Sequence, residues 1–211
     1  MSLLSTAMAY YPYVFHPAVL VGGGLLLLIR HEWRRQDDPN GTLARRVGAF
    51  LVAGAASLLP TAAYVVISGK GPMQVTQGNT WQVDALVASG VLVVCVSLWY
   101  CWTRFDWGTL VPGGVLALAA VTIPYAAVSS VWNVSGHVIF AVTPTLYLTL
   151  TDARFWPLLA VPAVMVPNRV YVEAHTPLQA VCGALLAASV VTAVYALRVK
   201  RPLAGASGAS E

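Results

Sequence analysis

Charge is what this sequence lacks. Only 9% of its 211 residues are Asp, Glu, Lys or Arg, against about 25% in a soluble domain of ordinary composition. Hydrophobic residues make up 58%, and the mean hydropathy is +0.71. The 12 basic and 8 acidic residues leave apolar runs of membrane-spanning length between them. A soluble enzyme is therefore excluded. The net charge of +4 and pI near 9.1 do not indicate a nucleic-acid binder, because the basic residues are spread through short loops rather than gathered in one patch.

Other absences narrow the chemistry. The three cysteines, Cys95, Cys101 and Cys182, fall within or at the ends of apolar stretches with no Cys-x-x-Cys spacing, which supports neither a disulfide framework nor a zinc site. No two of the four histidines stand at i, i+4. Asp37-Asp38 runs into Pro39-Asn40-Gly41 rather than a third carboxylate, which argues against a magnesium-dependent prenyltransferase. The last apolar stretch has no lysine at its centre, since Lys200 lies past its inner end, so a retinal protein is excluded. Residues 1–13 contain no Lys or Arg, unlike the start of a signal peptide. Ionisable residues are missing from mid-membrane positions, where a transporter would place its coupling site. No metal and no cofactor is expected.

Seven stretches approach the roughly 20 residues that a bilayer-crossing helix needs: 13–29, 47–67, 83–102, 109–132, 135–151, 155–171 and 177–197. The fold class is all-α, a polytopic membrane helical bundle of about six to seven transmembrane helices. Residues 1–201 read as one helical domain, and residues 202–211, rich in small residues, read as a disordered tail. Lys and Arg set the orientation. Ten of the 12, namely Arg30, Arg34, Arg35, Arg45, Arg46, Arg104, Arg154, Arg198, Lys200 and Arg201, fall on one side, leaving Lys70 and Arg169 on the other. This predicts a multi-pass protein of the cell membrane with its amino terminus outside and its carboxyl terminus cytoplasmic. Pro157, Pro162 and Pro167 predict a kink in the sixth stretch, and residues 161–166 suggest a lateral opening for a lipid tail. Gly22, Gly23 and Gly24 read as a close helix contact rather than a phosphate loop.

On that topology Lys70, Ser135-Gly136-His137, Arg169 and His175 all reach the outward face. Two imidazoles, a guanidinium and an ammonium with little other charge suit an anion, and phosphate fits best. Arg offers it a planar fork of donors, and a helix start offers backbone N–H groups. Ser135 is placed to cap the fifth stretch. Thr176-Pro177-Leu178-Gln179 has the pattern of a capping box, so His175 precedes a helix start. His16 reads as an interfacial histidine and His31 as a solvated one. Asp84 and Glu173 read as rim residues or partners of Lys70 and Arg169.

These residues resemble the type 2 phosphatidic acid phosphatase superfamily. Ser135-Gly136-His137 is similar to its second motif, Pro-Ser-Gly-His, with Val134 in place of the proline. Arg169, five residues, His175, three residues and Gln179 are similar to its third motif, in which Asp usually stands where this chain has Gln179. The first motif, Lys, six residues, Arg-Pro, is reduced to Lys70, with Gln77-Gly78 where Arg-Pro would stand. The resemblance covers roughly the second half of the chain and is closest to the branch acting on polyprenyl and dolichyl diphosphates.

It implies metal-independent hydrolysis of a lipid-linked phosphate or diphosphate at the outer face through a phosphohistidine. The catalytic residues would be His175 as nucleophile, His137 as acid and Gln179 in place of the carboxylate that orients the nucleophile. Arg169, Ser135, Gly136 and Lys70 would bind phosphate. The expected partners are the lipid phosphate or diphosphate substrate and membrane lipids, with no nucleic acid. Two alternatives are a phosphotransferase of the same fold and a non-catalytic lipid-binding relative.

Overall fold

The computed structural model describes residues 2–37, 39–69, 71, 74 and 80–200, with the side chains of residues 199 and 200 excepted. Lys70, Gln77, Gly78 and the tail 202–211 lie outside the described residues. The described chain is entirely helical: α1 (Leu3–Val14), α2 (Pro17–Arg34), α3 (Leu43–Ala56), α4 (Leu59–Ser68), α5 (Trp81–Phe105), α6 (Leu110–Ser129), α7 (Gly136–Thr151), a 3₁₀ segment (Ala153–Leu159), α8 (Ala160–Tyr171) and α9 (Pro177–Lys200). The all-α architecture expected from the sequence is the one found, and the chain is a membrane protein.

Its crossings resolve unevenly. Four helical stretches are long and apolar enough to span a bilayer: Leu43–Ser68, which joins α3 and α4, then α5, α6 and Pro177–Arg198. The pair α1–α2, bent by 58°, passes the same test of length and composition only when its two helices are taken together. The other two of the seven sequence stretches are shorter. α7 has 16 residues, and the sixth stretch is divided into the 3₁₀ segment and a 12-residue α8. Proline explains that division, because Pro157 and Pro162 supply no N–H to an α-helical ladder there.

Local sequence sets the bends. Pro17 restricts the residue before it to extended backbone, and His16 adopts φ −63°, ψ 144°. This ends α1 and starts α2, with His16 Nδ1 accepting the N–H of Ala18 at 3.2 Å. α1 packs along α8: Tyr11 Oη donates to the Val161 carbonyl at 3.0 Å, and Asn168 Nδ2 donates to the Met8 carbonyl at 2.7 Å. In the segment 161–166, where the sequence suggests a lateral opening, α1 packs on Val161 while Val164 stays exposed. α6 and α7 form the centre of the bundle, with Val111, Val115, Val121, Ile139 and Phe140 almost wholly buried. Of the three successive glycines, Gly24 makes the expected close contact, since a Cβ there would collide with Pro144. A Cβ at Gly23 would meet nothing.

The end of the bundle away from His16 is held by buried polar groups. Glu32, 3% exposed, accepts the indole N–H of Trp102 at 2.7 Å and the backbone N–H groups of Leu110 and Val111. One carboxylate thereby caps α6 and ties it to α2 and α5. Arg46, fully buried, donates to the Trp107 carbonyl at 2.8 Å, to Gln36 Oε1 at 2.7 Å and to the Asn40 carbonyl at 3.0 Å. Trp107 meets Trp102 edge-on, with centroids 5.0 Å apart. His31 is buried rather than solvated, 3.8 Å from Asp152 and edge-on to Phe155. Every Lys and Arg among the described residues except Arg169 belongs to this end.

Removing Glu32 strands an indole and two helix-terminal N–H groups in the interior. Glu32→Ala is expected to lower the unfolding free energy in detergent by about 3 kcal/mol. Glu32→Gln, which keeps an acceptor oxygen, should recover part of that loss. An alanine variant as stable as wild type would show that Glu32 does not hold this end together.

Candidate active site

At the other end four helix termini converge: the start of α2, the start of α7, the end of α8 and the start of α9. Each carries one of the residues singled out in the sequence or its neighbour.

The start of α7 is open. Ser135 stands at the N-cap with φ −73° and ψ 103°. It does not make the expected side-chain cap: its hydroxyl is fully buried and has no partner. Among the described residues no acceptor meets the N–H groups of Gly136, His137 or Val138. An uncapped helix start with a spare hydroxyl is a ready anion seat. Gly136 is required there by close approach, because a Cβ would strike the hydroxyl of Tyr125. That hydroxyl in turn donates to Asp84 Oδ1 at 2.7 Å. Asp84 is therefore a partner of Tyr125 within the bundle, not of Arg169.

His175 lies between α8 and α9, nearly buried. Its Nδ1 is 3.1 Å from the Asn133 carbonyl. A carbonyl can only accept, so Nδ1 carries the proton and the neutral ring keeps its lone pair on Nε2. The His175 backbone N–H donates to the Arg169 carbonyl at 3.2 Å, folding the Arg-x5-His segment into a tight turn with Glu173 in the left-handed region at φ 56°. The expected capping box on α9 is present: Thr176 N–H donates to Gln179 Oε1 at 2.9 Å, and Gln179 N–H donates to Thr176 Oγ1 at 3.3 Å. Gln179 also stands close enough to the imidazole to favour its charged form. The partner of Nδ1 is the Asn133 carbonyl. Ser135 N–H meets the Gln179 carbonyl at 3.4 Å, so the two motif segments are joined directly.

Arg169, at the end of α8, is half-buried, and its Nε has no partner. His137 lies within electrostatic reach of Arg169, His16 and His175. The structure thus brings together Ser135, Gly136, His137, Arg169, His175 and Gln179.

It also adds two groups that the sequence did not assign to the site. The His16 ring packs edge-on against His137 with centroids 5.7 Å apart, which makes it a third imidazole at the site rather than an isolated interfacial one. Its signal was the Pro17 that follows it, which turns the chain at that point. The Asn133 carbonyl is a backbone group and has no residue-type signature.

Burial pushes the His175 imidazole below its ordinary value, and the nearby Arg169 cation pushes it the same way. His175 should titrate in NMR with a midpoint below 6.5, the usual imidazole value. Arg169→Ala should raise that midpoint without restoring it fully, because burial is the larger cause. Between the lowered folded value and 6.5 the unfolded chain holds more protons at this residue. Its contribution to stability is therefore present above pH 6.5 and lost as the pH falls through the folded value. A midpoint at or above 6.5 would contradict the burial and the positive neighbour together.

Residues 120–203 match the PAP2 superfamily. No curated protein and no solved structure matches the chain. The matched segment contains the second half of α6, α7, α8 and α9, and with them Ser135, Gly136, His137, Arg169, His175 and Gln179; His16 and Lys70 precede it. The segment that builds both motifs is therefore similar to the PAP2 superfamily.

Proposed function

We propose that this protein is a membrane-embedded phosphohydrolase that removes phosphate from a lipid-linked phosphate or diphosphate without a metal ion. The PAP2 segment supports phosphatase or phosphotransferase chemistry on lipid phosphates. The observation that carries the assignment is the His175 Nδ1 bond to the Asn133 carbonyl. It fixes the tautomer whose other nitrogen is free to attack.

In this reading the phosphoryl group sits at the open start of α7, with its oxygens on the N–H groups of Gly136 and His137, the Ser135 hydroxyl and the Arg169 guanidinium. Lys70 is a further phosphate ligand. His175 Nε2 forms a bond to phosphorus as the bond from phosphorus to the leaving lipid oxygen breaks, and His137 gives that oxygen its proton. The phosphohistidine is then opened by water, which yields inorganic phosphate and restores both rings. Positive charge and helix-terminal dipoles aimed at the equatorial oxygens stabilise the transition state. The Asn133 carbonyl and Gln179 hold the imidazole in place, the role that a carboxylate more commonly fills. The weight of Lys and Arg at the opposite end supports an outward-facing site.

The test is phosphate release by the detergent-purified protein from prenyl phosphates, prenyl diphosphates and phosphatidate, with EDTA present. We expect turnover by the wild type, none by His175→Ala, and a loss of roughly 10²–10⁴-fold in His137→Ala. Lys70→Ala should only weaken it. Activity that survives His175→Ala would overturn the nucleophile. A phosphorylated acceptor formed without free phosphate would identify the phosphotransferase instead.

A further inference from the structure

Beside His16 lies a cavity of about 440 Å³. Its walls are α2 (His16, Leu25), α3 (Phe50, Gly54) and α5 (Leu86, Val94). None of these residues belongs to the segment that carries the family's motifs. His16 lines the cavity and also packs against His137. Phe140, which likewise lines it, is three residues after His137 on α7. The cavity therefore adjoins the His137 segment through His16 and Phe140, although neither His137 nor His175 lines it. From His16 to Leu25 it follows α2 for nine residues, roughly 13 Å at 1.5 Å per residue, which is nearly half of the ~30 Å hydrocarbon layer. Apart from His16, the polar side chains around it are Ser57 and Thr61. α3 and α4, the least buried of the spans, form its outer wall.

We propose that this cavity seats the hydrocarbon chain of the lipid phosphate, and that it takes one chain, as in a prenyl phosphate, in preference to the two of a diacyl lipid. This rests on the function proposed above and names its substrate class. The depth, the apolar lining and the position of the mouth suit a chain whose phosphate lies at His137 and His175. The volume falls in the 300–1,000 Å³ range of pockets that hold one compact ligand. At roughly 30 Å³ for each water-sized group, it has room for about fifteen such groups, the bulk of a single farnesyl-sized chain.

The glycines of the wall provide the test. A Cβ on Gly90 would press on the Ser57 carbonyl, whereas a Cβ on Gly54 would meet nothing within 4 Å. Gly54→Leu therefore fills the cavity from a helical position that can accept a side chain. With farnesyl phosphate as substrate, we expect it to raise KM about tenfold and leave kcat/KM for the tail-less p-nitrophenyl phosphate unchanged. Geranyl phosphate should be less affected than farnesyl phosphate. Wild type should favour farnesyl phosphate over dioleoyl phosphatidate.

A second measurement is independent of turnover: calorimetric binding of a non-hydrolysable farnesyl phosphonate to wild type and Gly54→Leu. Weakened binding in the variant supports the cavity assignment even if no substrate is hydrolysed, which would count against the catalytic reading alone. Equal binding, or equal loss on the tail-less substrate, would overturn the cavity assignment. So would phosphatidate used as well as farnesyl phosphate. Displacement of the phosphonate by phosphatidylethanolamine would overturn it too, by making the cavity a seat for structural lipid.

Discussion

A helix that begins near the edge of a low-dielectric slab has several N–H groups with no partner of their own, and this chain meets that demand in two opposite ways. At one end of the bundle α6 starts on the Glu32 carboxylate, which takes the N–H groups of Leu110 and Val111 and the indole of Trp102. At the other end α7 starts with nothing from the protein: the Ser135 hydroxyl has no partner, and the N–H groups after it have no acceptor among the described residues. The first helix start carries its own anion and locks α2, α5 and α6 together. The second is left electropositive and unsatisfied, which is stable only if water or an arriving anion completes it. The candidate site exists because one of these two termini was not closed from within.

That open terminus is held against its partners by short-range backbone bonds. Ser135 N–H meets the Gln179 carbonyl, His175 N–H meets the Arg169 carbonyl, and the His175 ring meets the Asn133 carbonyl. Residues that are distant in sequence are thereby fixed by carbonyls rather than by long side chains. Such a frame costs little side-chain entropy and leaves the side chains of His137, Arg169 and His175 for the ligand.

Much of this was legible in the sequence for physical reasons. Low charge density fixed the membrane class, and Ser135-Gly136-His137 with Arg169-x5-His175 placed two motif segments at helix ends because capping and spacing are local properties. Thr176 and Gln179 announced a capping box, and one formed. What escaped was tertiary. Pro17 announces a turn after the exposed His16, but not that the turn lays the ring on His137. Asn133 acts through its carbonyl, which every residue possesses. Glu32 looks like an ordinary loop carboxylate until α5 and α6 close over it. The sixth apolar stretch read as one kinked span, but prolines at positions 157 and 162 are frequent enough to give a 3₁₀ segment and a short helix instead.

The polar mouth and the apolar cavity beneath it have a consequence for the direction of the proposed reaction. Cleavage at such a boundary splits one amphiphile into two products that belong to different phases. Inorganic phosphate leaves into water, and the dephosphorylated chain remains in the hydrocarbon. Each product is diluted in a compartment that the other does not enter, so their re-encounter at the site is rare. A reaction placed there is drawn forward by partition as well as by its chemistry, and its reversal would require both phases to deliver their component to the same few ångströms at once.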